Sequence, residues 1–189
     1  MLQTTTKLEA VNLVRSCIGS YPVNSLDEHE DMDTASILRI MDMESKRIQG
    51  EGWDFNRHDS YIMKPDRFTK KIRWNNNFLK YRSTDGVTYV KRGDYLYNMT
   101  EQKDTFDKDV TLEVIELVDF EDLPECFRDY ITMKTALAFQ ARFIGDTTIL
   151  QTIQQELLMA QSALVQYDLD SGSYNSLQFA RSVEVLSRT

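Results

Sequence analysis

The sequence predicts an α+β protein with a four-helix bundle-like domain, an inserted antiparallel β-domain and an extended C-terminal tail. Hydrophobic residues recur every three or four positions in both halves of the chain, as on amphipathic helices. Between about residues 53 and 118 the period changes to two, which is typical of strands with one buried face. The charge changes as well: residues 53–100 carry ten basic and five acidic side chains, a charge of +5 that leaves −13 for the rest of a chain of net charge −8.

The composition excludes several classes of protein. The chain has 189 residues, of which 41% are hydrophobic and 28% charged, as expected of a soluble globular protein. No stretch approaches the roughly 18 apolar residues needed to cross a bilayer, and the N-terminus lacks a signal-peptide pattern. We therefore expect no membrane insertion. The acidic balance also argues against a protein that grips the phosphates of DNA. Cys17 and Cys126 are expected to be unpaired thiols.

Two helices are predicted before the strands. The first runs from Lys7 to Ile18, where Thr6 and Glu9 form a capping box at its start. Gly19 then supplies a residue suited to the left-handed backbone that ends many helices. The second helix runs from Asp33 to Gln49.

Six short runs with alternating hydrophobicity follow, separated by turn residues rich in Asn, Asp and Gly. They cover residues 61–63, 70–74, 78–81, 87–90, 95–97 and 110–115. This spacing predicts an antiparallel meander, and we assign residues 53–119 to the β-domain.

Helices resume near Asp122-Leu123-Pro124-Glu125, where a capping aspartate and a first-turn proline favour a helix start. The third helix is predicted to end at Phe143, and the fourth to span Thr147 to Tyr167. The helical domain would then comprise residues 1–52 and 120–168, and residues 169–189 would form the tail.

The fourth predicted helix is unusually poor in charge, since Glu156 is its only charged residue. Amide-rich faces without charge suit contact with another polypeptide, because charges are costly to desolvate. An alternative of equal weight is a helix buried in the core. The candidate interface residues are Leu150, Gln151, Gln154, Gln155, Leu157, Gln161 and Leu164.

No catalytic or cofactor motif is present: the sequence has no Walker loop, GxGxxG, GxSxG or HExxH, and only two histidines. We therefore expect no enzyme activity, metal or cofactor. The acidic run at residues 27–31 is interpreted as a helix start rather than a calcium site. Two carboxylate pairs that could serve glycan hydrolysis, Glu28 with Glu30 and Glu121 with Glu125, leave a hydrolase of cell-wall or surface glycan as the alternative. A soluble DNA-binding protein is a weaker option.

Six short motifs, in order along nearly the whole chain, resemble the tail tubular protein A family of short-tailed phages. They lie at residues 18–26, 52–56, 92–97, 123–128, 142–145 and 173–175, and read IGSYPVNSL, GWDFN, RGDYLY, LPECFR, RFIG and SYN. The chain departs from the family pattern only in loops, at Tyr21, Asp94 and residues 146–148.

The resemblance implies a structural adaptor in the neck of the virion tail, assembled in the host cytoplasm. Its copies would form a homo-oligomeric ring, expected to be twelvefold, between the portal protein and the tubular nozzle protein, near the tail fibre. DNA would pass through the lumen without specific binding. The β-domain cations and the C-terminal tail are the expected contacts with these partners. The candidates are Lys70, Lys71, Arg73, Arg82, Lys91 and Arg92 in the β-domain, and Tyr174, Asn175 and Phe179 in the tail.

Overall fold

The computed structural model describes residues 4–26 and 31–186, with side chains described as far as residue 171. The described chain is a mixture of α-helices and antiparallel strands, which confirms the predicted α+β class. The helices are α1 (Lys7–Cys17), α2 (Met32–Gln49), α3 (Glu125–Phe143) and α4 (Thr147–Leu186), and a short 3-10 helix spans Phe120–Asp122. The strands are β1 (Arg57–Met63), β2 (Phe78–Ser83), β3 (Tyr89–Arg92), β4 (Tyr95–Asn98) and β5 (Val110–Glu116).

The chain divides into two compact units. The helical unit comprises Met1–Ile48 and Asp119–Thr189, and the β unit comprises Gln49–Val118. The β unit holds twelve basic and twelve acidic residues, which leaves the net charge of −8 on the helical unit. The +5 of residues 53–100 is thus balanced by acidic residues at 101–116 and at Glu51. Basic character in the β unit is therefore local to parts of its surface.

The start of α1 is held by the predicted capping box. Thr6 Oγ1 accepts a hydrogen bond from the Glu9 N–H at 3.2 Å, and the Glu9 carboxylate accepts one from the Thr6 N–H at 2.8 Å. The helix buries Ala10, Val11 and Val14, and α3 packs against both α1 and α4. Apolar periodicity and local capping therefore agree on this element.

At the start of α2, Asp31 satisfies free backbone donors of the first turn. Its Oδ2 accepts hydrogen bonds from the Thr34 N–H at 2.8 Å and the Thr34 hydroxyl at 2.6 Å, and the same carboxylate pairs with Arg15 of α1. Hydrogen bonds from the Thr34 hydroxyl, then from its N–H, lower the pKa of Asp31. Asp31 therefore ties the start of one helix to its neighbour.

Replacing Asp31 by alanine is expected to lower the free energy of unfolding at pH 7 by about 1 kcal/mol, a typical N-cap effect. Because the folded pKa is lowered, this contribution is complete above the usual aspartate pKa of about 4 and is lost as the pH falls through the folded value. Urea unfolding of both proteins between pH 7 and pH 2.5 measures the difference. A pH-independent difference would contradict the assignment.

α3 begins later than predicted, and its start is stabilised differently. Asp122 closes the 3-10 helix, and Pro124 precedes α3 without a side-chain cap. The buried guanidinium of Arg128 instead donates hydrogen bonds to the carbonyls of Leu123 at 2.8 Å and Thr5 at 2.9 Å, and to that of Glu121. One side chain from within the helix thus fixes the segments that lead to it.

α4 begins as predicted at Thr147, where the Asp146 carboxylate accepts hydrogen bonds from the N–H groups of Thr148 and Ile149 at 2.8 and 3.1 Å. It continues to Leu186, across most of the residues assigned to the extended C-terminal tail, 169–189. The Ser-Gly-Ser stretch at residues 171–173 does not interrupt it, because one glycine costs a helix only about 1 kcal/mol relative to alanine. Residues 147–186 contain no proline that would break the helix.

The β unit contains a three-stranded antiparallel sheet in the order β1-β5-β2 and a separate β3-β4 hairpin. The predicted meander order is therefore wrong, because β5 returns between β1 and β2. Residues 70–74 are not a strand: Lys70 has a φ of 58°, and only Arg73 forms a bridge, with Tyr95. The core of this unit consists of Met63, Ile72, Trp74, Tyr89, Leu96, Phe106, Val110, Leu112 and Val114.

Two buried amides join the segments where the chain enters and leaves the β unit. Gln49 accepts from the Val118 N–H at 2.8 Å and donates to the Val118 carbonyl at 3.0 Å. Asn56 accepts from the Trp53 N–H at 2.9 Å and donates to the carbonyls of Gln49 and Glu116, both at 2.9 Å.

The Asn56→Ala variant is expected to be about 2 kcal/mol less stable, because it removes the three hydrogen bonds that the buried Asn56 side chain makes to the backbone. Chemical denaturation followed by tryptophan fluorescence reports this, since Trp53 and Trp74 both lie in the β unit. The exposed Asn76→Ala serves as the matched control and is expected to change the stability by less than about 0.5 kcal/mol. Equal effects of the two substitutions would refute the role given to Asn56.

Candidate interaction surfaces

One face of α4 packs in the helical unit and the remainder is exposed. Ile153, Leu157 and Leu164 are 1%, 8% and 3% exposed. The predicted interface residues Leu157 and Leu164 therefore contact the chain's own core and are not available to a second chain. Leu150 is half-buried, and the predicted amides Gln151, Gln154, Gln155 and Gln161 are exposed.

Several apolar side chains of α4 lie among these amides on the exposed surface. Leu158 is 63% exposed and Met159 73% exposed, and together with Gln155 and Ser162 they line a shallow groove. Val165 and Leu169 are also exposed. The spacing of three and four residues along this helix does not identify these exposed apolar side chains, and they are not among the predicted interface residues. The run Leu157-Leu158-Met159 contained the signal, because three consecutive apolar residues on a helix cannot all face one core.

This exposed face distinguishes the two interpretations of the charge-poor helix. Between Thr147 and Tyr167 the sole charged residue is Glu156. The candidate interface amides are exposed to solvent, whereas a helix buried in the core would have them covered. A solvated helix face normally carries Lys and Glu. Exposed apolar groups among neutral amides are typical of surfaces that contact protein, so this face of α4 is a candidate interface.

The predicted cations of the β unit are not one uniform surface. Lys71 forms an ion pair with Asp104 at 2.6 Å, and Arg82 binds Glu113 through two hydrogen bonds of 3.0 and 2.8 Å. The hydrogen bond and then the charge of these carboxylates raise the pKa of both cations. Both cations are therefore already paired with a carboxylate of the same unit.

The other four predicted cations differ in their surroundings. Lys91 donates to the Asn76 side-chain oxygen at 2.7 Å. The Arg92 guanidinium lies 3.6 Å from the centre of the Tyr97 ring, a cation–π contact on the β3-β4 hairpin. Lys70 and Arg73 are exposed, and no described carboxylate lies within 4 Å of either. Among the described residues, Lys70 and Arg73 are therefore the two of these predicted cations whose side chains have no polar or aromatic partner.

The carboxylates considered for glycan hydrolysis have structural partners. The Glu125 carboxylate accepts hydrogen bonds from the Thr5 N–H at 3.1 Å and from its hydroxyl, and Glu121 accepts one from the Lys7 N–H at 3.1 Å. Both anchor the N-terminal segment to the start of α3. Glu28 and Glu30 lie outside the described residues, as do the side chains of Tyr174, Asn175 and Phe179.

The described part of the chain offers neither a metal site nor a membrane-spanning helix. It contains no group of three or more His, Cys, Asp or Glu side chains placed to hold a metal ion. None of its helices has the length and hydrophobicity that a membrane crossing needs. Cys17 and Cys126 are free thiols, and burial raises the pKa of each.

Comparison with known proteins gives a consistent result across the chain. The tail tubular protein family profile, Tube, matches residues 8–174. Tail tubular protein A of Klebsiella phage KP34 is 24% identical over 180 residues, which cover 94% of this chain and 95% of that protein. The match includes both units and the exposed face of α4. The chain therefore belongs to the tail tubular protein family and is a structural protein of a phage tail.

Proposed function

We propose that this chain is the adaptor of the tail, a non-enzymatic subunit whose copies form a ring, expected to be twelvefold, between the portal protein and the tubular nozzle protein. The observation that carries the proposal is the exposed, charge-poor face of α4. Leu158 and Met159 are more than half exposed in a single copy. A protein contact that buries them would gain about 25 cal/mol for each Å² of apolar surface removed from water.

The charge of the helical unit supports a role as a conduit for DNA. The unit carries eighteen acidic and ten basic residues, and DNA is itself a dense polyanion. An acidic lumen repels the phosphates, so that the genome passes without being held. In this proposal the acidic helical unit lines or flanks the channel, and the β unit and the end of α4 meet the portal, the nozzle or the tail fibre.

Mass measurement of the purified protein, alone and mixed with its portal protein, tests the ring. We expect a discrete complex with a fixed number of copies when the portal is present, since the portal acts as a template. A chain that stays monomeric with the portal at micromolar concentrations would refute the adaptor. Turbidity assays on cell walls complete the test, because glycan hydrolysis lost in Glu121→Gln or Glu125→Gln would overturn the non-enzymatic role.

A further inference from the structure

The loop that follows β1, residues 64–70, has a backbone fixed by one carboxylate. Asp66 Oδ1 accepts hydrogen bonds from the Phe68 N–H at 3.1 Å, the Thr69 N–H at 2.8 Å and the Thr69 hydroxyl at 3.0 Å. The Asp66 carbonyl also accepts from the Lys70 N–H at 2.9 Å, and the Asp66 N–H donates to the Lys71 carbonyl at 2.9 Å. These bonds hold the loop in one conformation.

The loop is also anchored to the rest of the β unit. The Phe106 N–H donates to the Lys70 carbonyl at 2.7 Å, and the neighbouring Lys71 pairs with Asp104. Phe106 belongs to the buried core of this unit. The tip of the loop is therefore held on a rigid base, which lowers the entropic cost of binding through it.

At its tip, this loop presents Phe68 with 94% of its surface exposed, more than any other large apolar side chain of the described residues. A phenylalanine held in water by a rigid turn contributes nothing to the core of its own unit. Transfer of the ring from water into an apolar pocket is favourable in proportion to the apolar area removed from water. Buried aromatic anchors of this kind dominate the energy of many protein interfaces.

Three cations lie in the same loop as Phe68, on both sides of it in the sequence. Lys64, Arg67 and Lys70 are exposed, and no described carboxylate lies within 4 Å of any of them. The one acid of the loop, Asp66, directs its Oδ1 at the backbone, and those hydrogen bonds lower its pKa. The loop therefore presents one exposed aromatic side chain together with three exposed cations that have no carboxylate partner among the described residues.

We propose that the Phe68 loop is a docking anchor for a different protein of the tail, one with an apolar pocket that takes the ring and an acidic rim that meets Lys64, Arg67 and Lys70. This inference rests on the adaptor role proposed above. The loop supplies a contact with another protein, whereas α4 supplies the contact between copies.

The chain's own grooves argue against a second copy as the occupant. The groove on α4 is lined by Gln155, Leu158, Met159 and Ser162, and has no acidic lining residue. The groove on the three-stranded sheet is lined by three cations, Arg57, Lys80 and Arg82, and by two carboxylates, Glu51 and Glu113, so it offers the cations of the loop no net negative charge. A lipid surface is also disfavoured, since a bilayer does not require a preorganised turn.

Photo-crosslinking in assembled virions tests the proposal. For this experiment, p-benzoylphenylalanine replaces Phe68 in the chain. After irradiation, the cross-linked products are identified by mass spectrometry. We expect cross-links to one site on a different tail protein, on a peptide with apolar and acidic residues. Cross-links to another copy of this chain, to lipid or to DNA, or none above the level of the same group at Thr84, would overturn the proposal.

Substitutions give a second, independent readout in the same virions. Phe68→Ser is expected to lower the yield of infectious particles at least tenfold, whereas Phe68→Trp, which keeps a large ring, is expected to retain it. Purified Phe68→Ser should still form the complex with the portal, because α4 is intact. If the native chain and the serine variant both fail to form that complex, the adaptor proposal fails. If both form it and the serine variant gives as many infectious particles as the native chain, the anchor proposal fails.

Discussion

Aspartate at both Leu158 and Met159 is expected to weaken association between copies at least a thousandfold, equivalent to about 4 kcal/mol. The two side chains are 63% and 73% exposed, so folding of the single chain does not depend on them. In an interface between copies, each would place a carboxylate in a contact that otherwise has little charge. The desolvation penalty of a charge without a partner then falls entirely on the assembled state.

Analytical ultracentrifugation of the chain with its portal protein measures this effect. Met43→Asp is the matched control, because Met43 is also a helix methionine, on α2 and 44% exposed. It introduces one carboxylate outside the α4 face, half the charge added by the double variant, and is expected to leave association unchanged. If the control weakens association as much as the double variant, the effect comes from net charge and the assignment of the α4 face is wrong.

Replacing Arg128 by methionine is expected to destabilise the chain by about 4 kcal/mol, since three carbonyl groups lose their donor in a buried setting. The side chain is 6% exposed, and methionine fills most of its volume without supplying a hydrogen bond. The loss would release the N-terminal segment and the 3-10 helix from the start of α3. Urea unfolding followed by the helical circular dichroism signal gives the magnitude.

The exposed Arg142 lies on the same helix and provides the matched control. Arg142→Met removes an equal charge, and we expect it to change the stability by less than about 0.5 kcal/mol. A loss below about 1 kcal/mol for Arg128→Met would contradict the role given to its hydrogen bonds.

Features that depend on neighbouring residues were predictable from the sequence. The capping box at Thr6 and Glu9 predicted the start of α1, and the change of period from helix to strand predicted the α+β class. The end of α4 was not predictable in this way. The Ser-Gly-Ser stretch favours a break only weakly, and the helix continues across it.

Features that depend on distant residues were missed. The order β1-β5-β2 requires β5 to pair with strands far away in sequence, and alternation of hydrophobic residues specifies a buried face without naming the partner. The roles of Arg128 and Asn56 were also hidden, because each bonds to backbone groups whose positions only the fold determines. Both residues nevertheless lie in motifs shared with the family resemblance, at 123–128 and 52–56. Their hydrogen bonds give a physical reason for those motifs.

The candidate α4 surface was half predictable. The scarcity of charge was visible in the sequence, and it led to the exposed amides Gln151, Gln154, Gln155 and Gln161. Which apolar residues point outward depends on how the helix is rotated against α3. Sequence periodicity does not resolve that rotation. Leu157 and Leu164 were therefore included among the candidate interface residues, although they are buried.

A density map of the assembled tail neck tests the central claim most directly. If the chain is the adaptor, we expect a closed ring in which Leu158 and Met159 of each copy are buried against a neighbouring copy. Acidic side chains of the helical unit should face the bore. A map in which this face of α4 remains in solvent, or in which basic side chains line the bore, would contradict it.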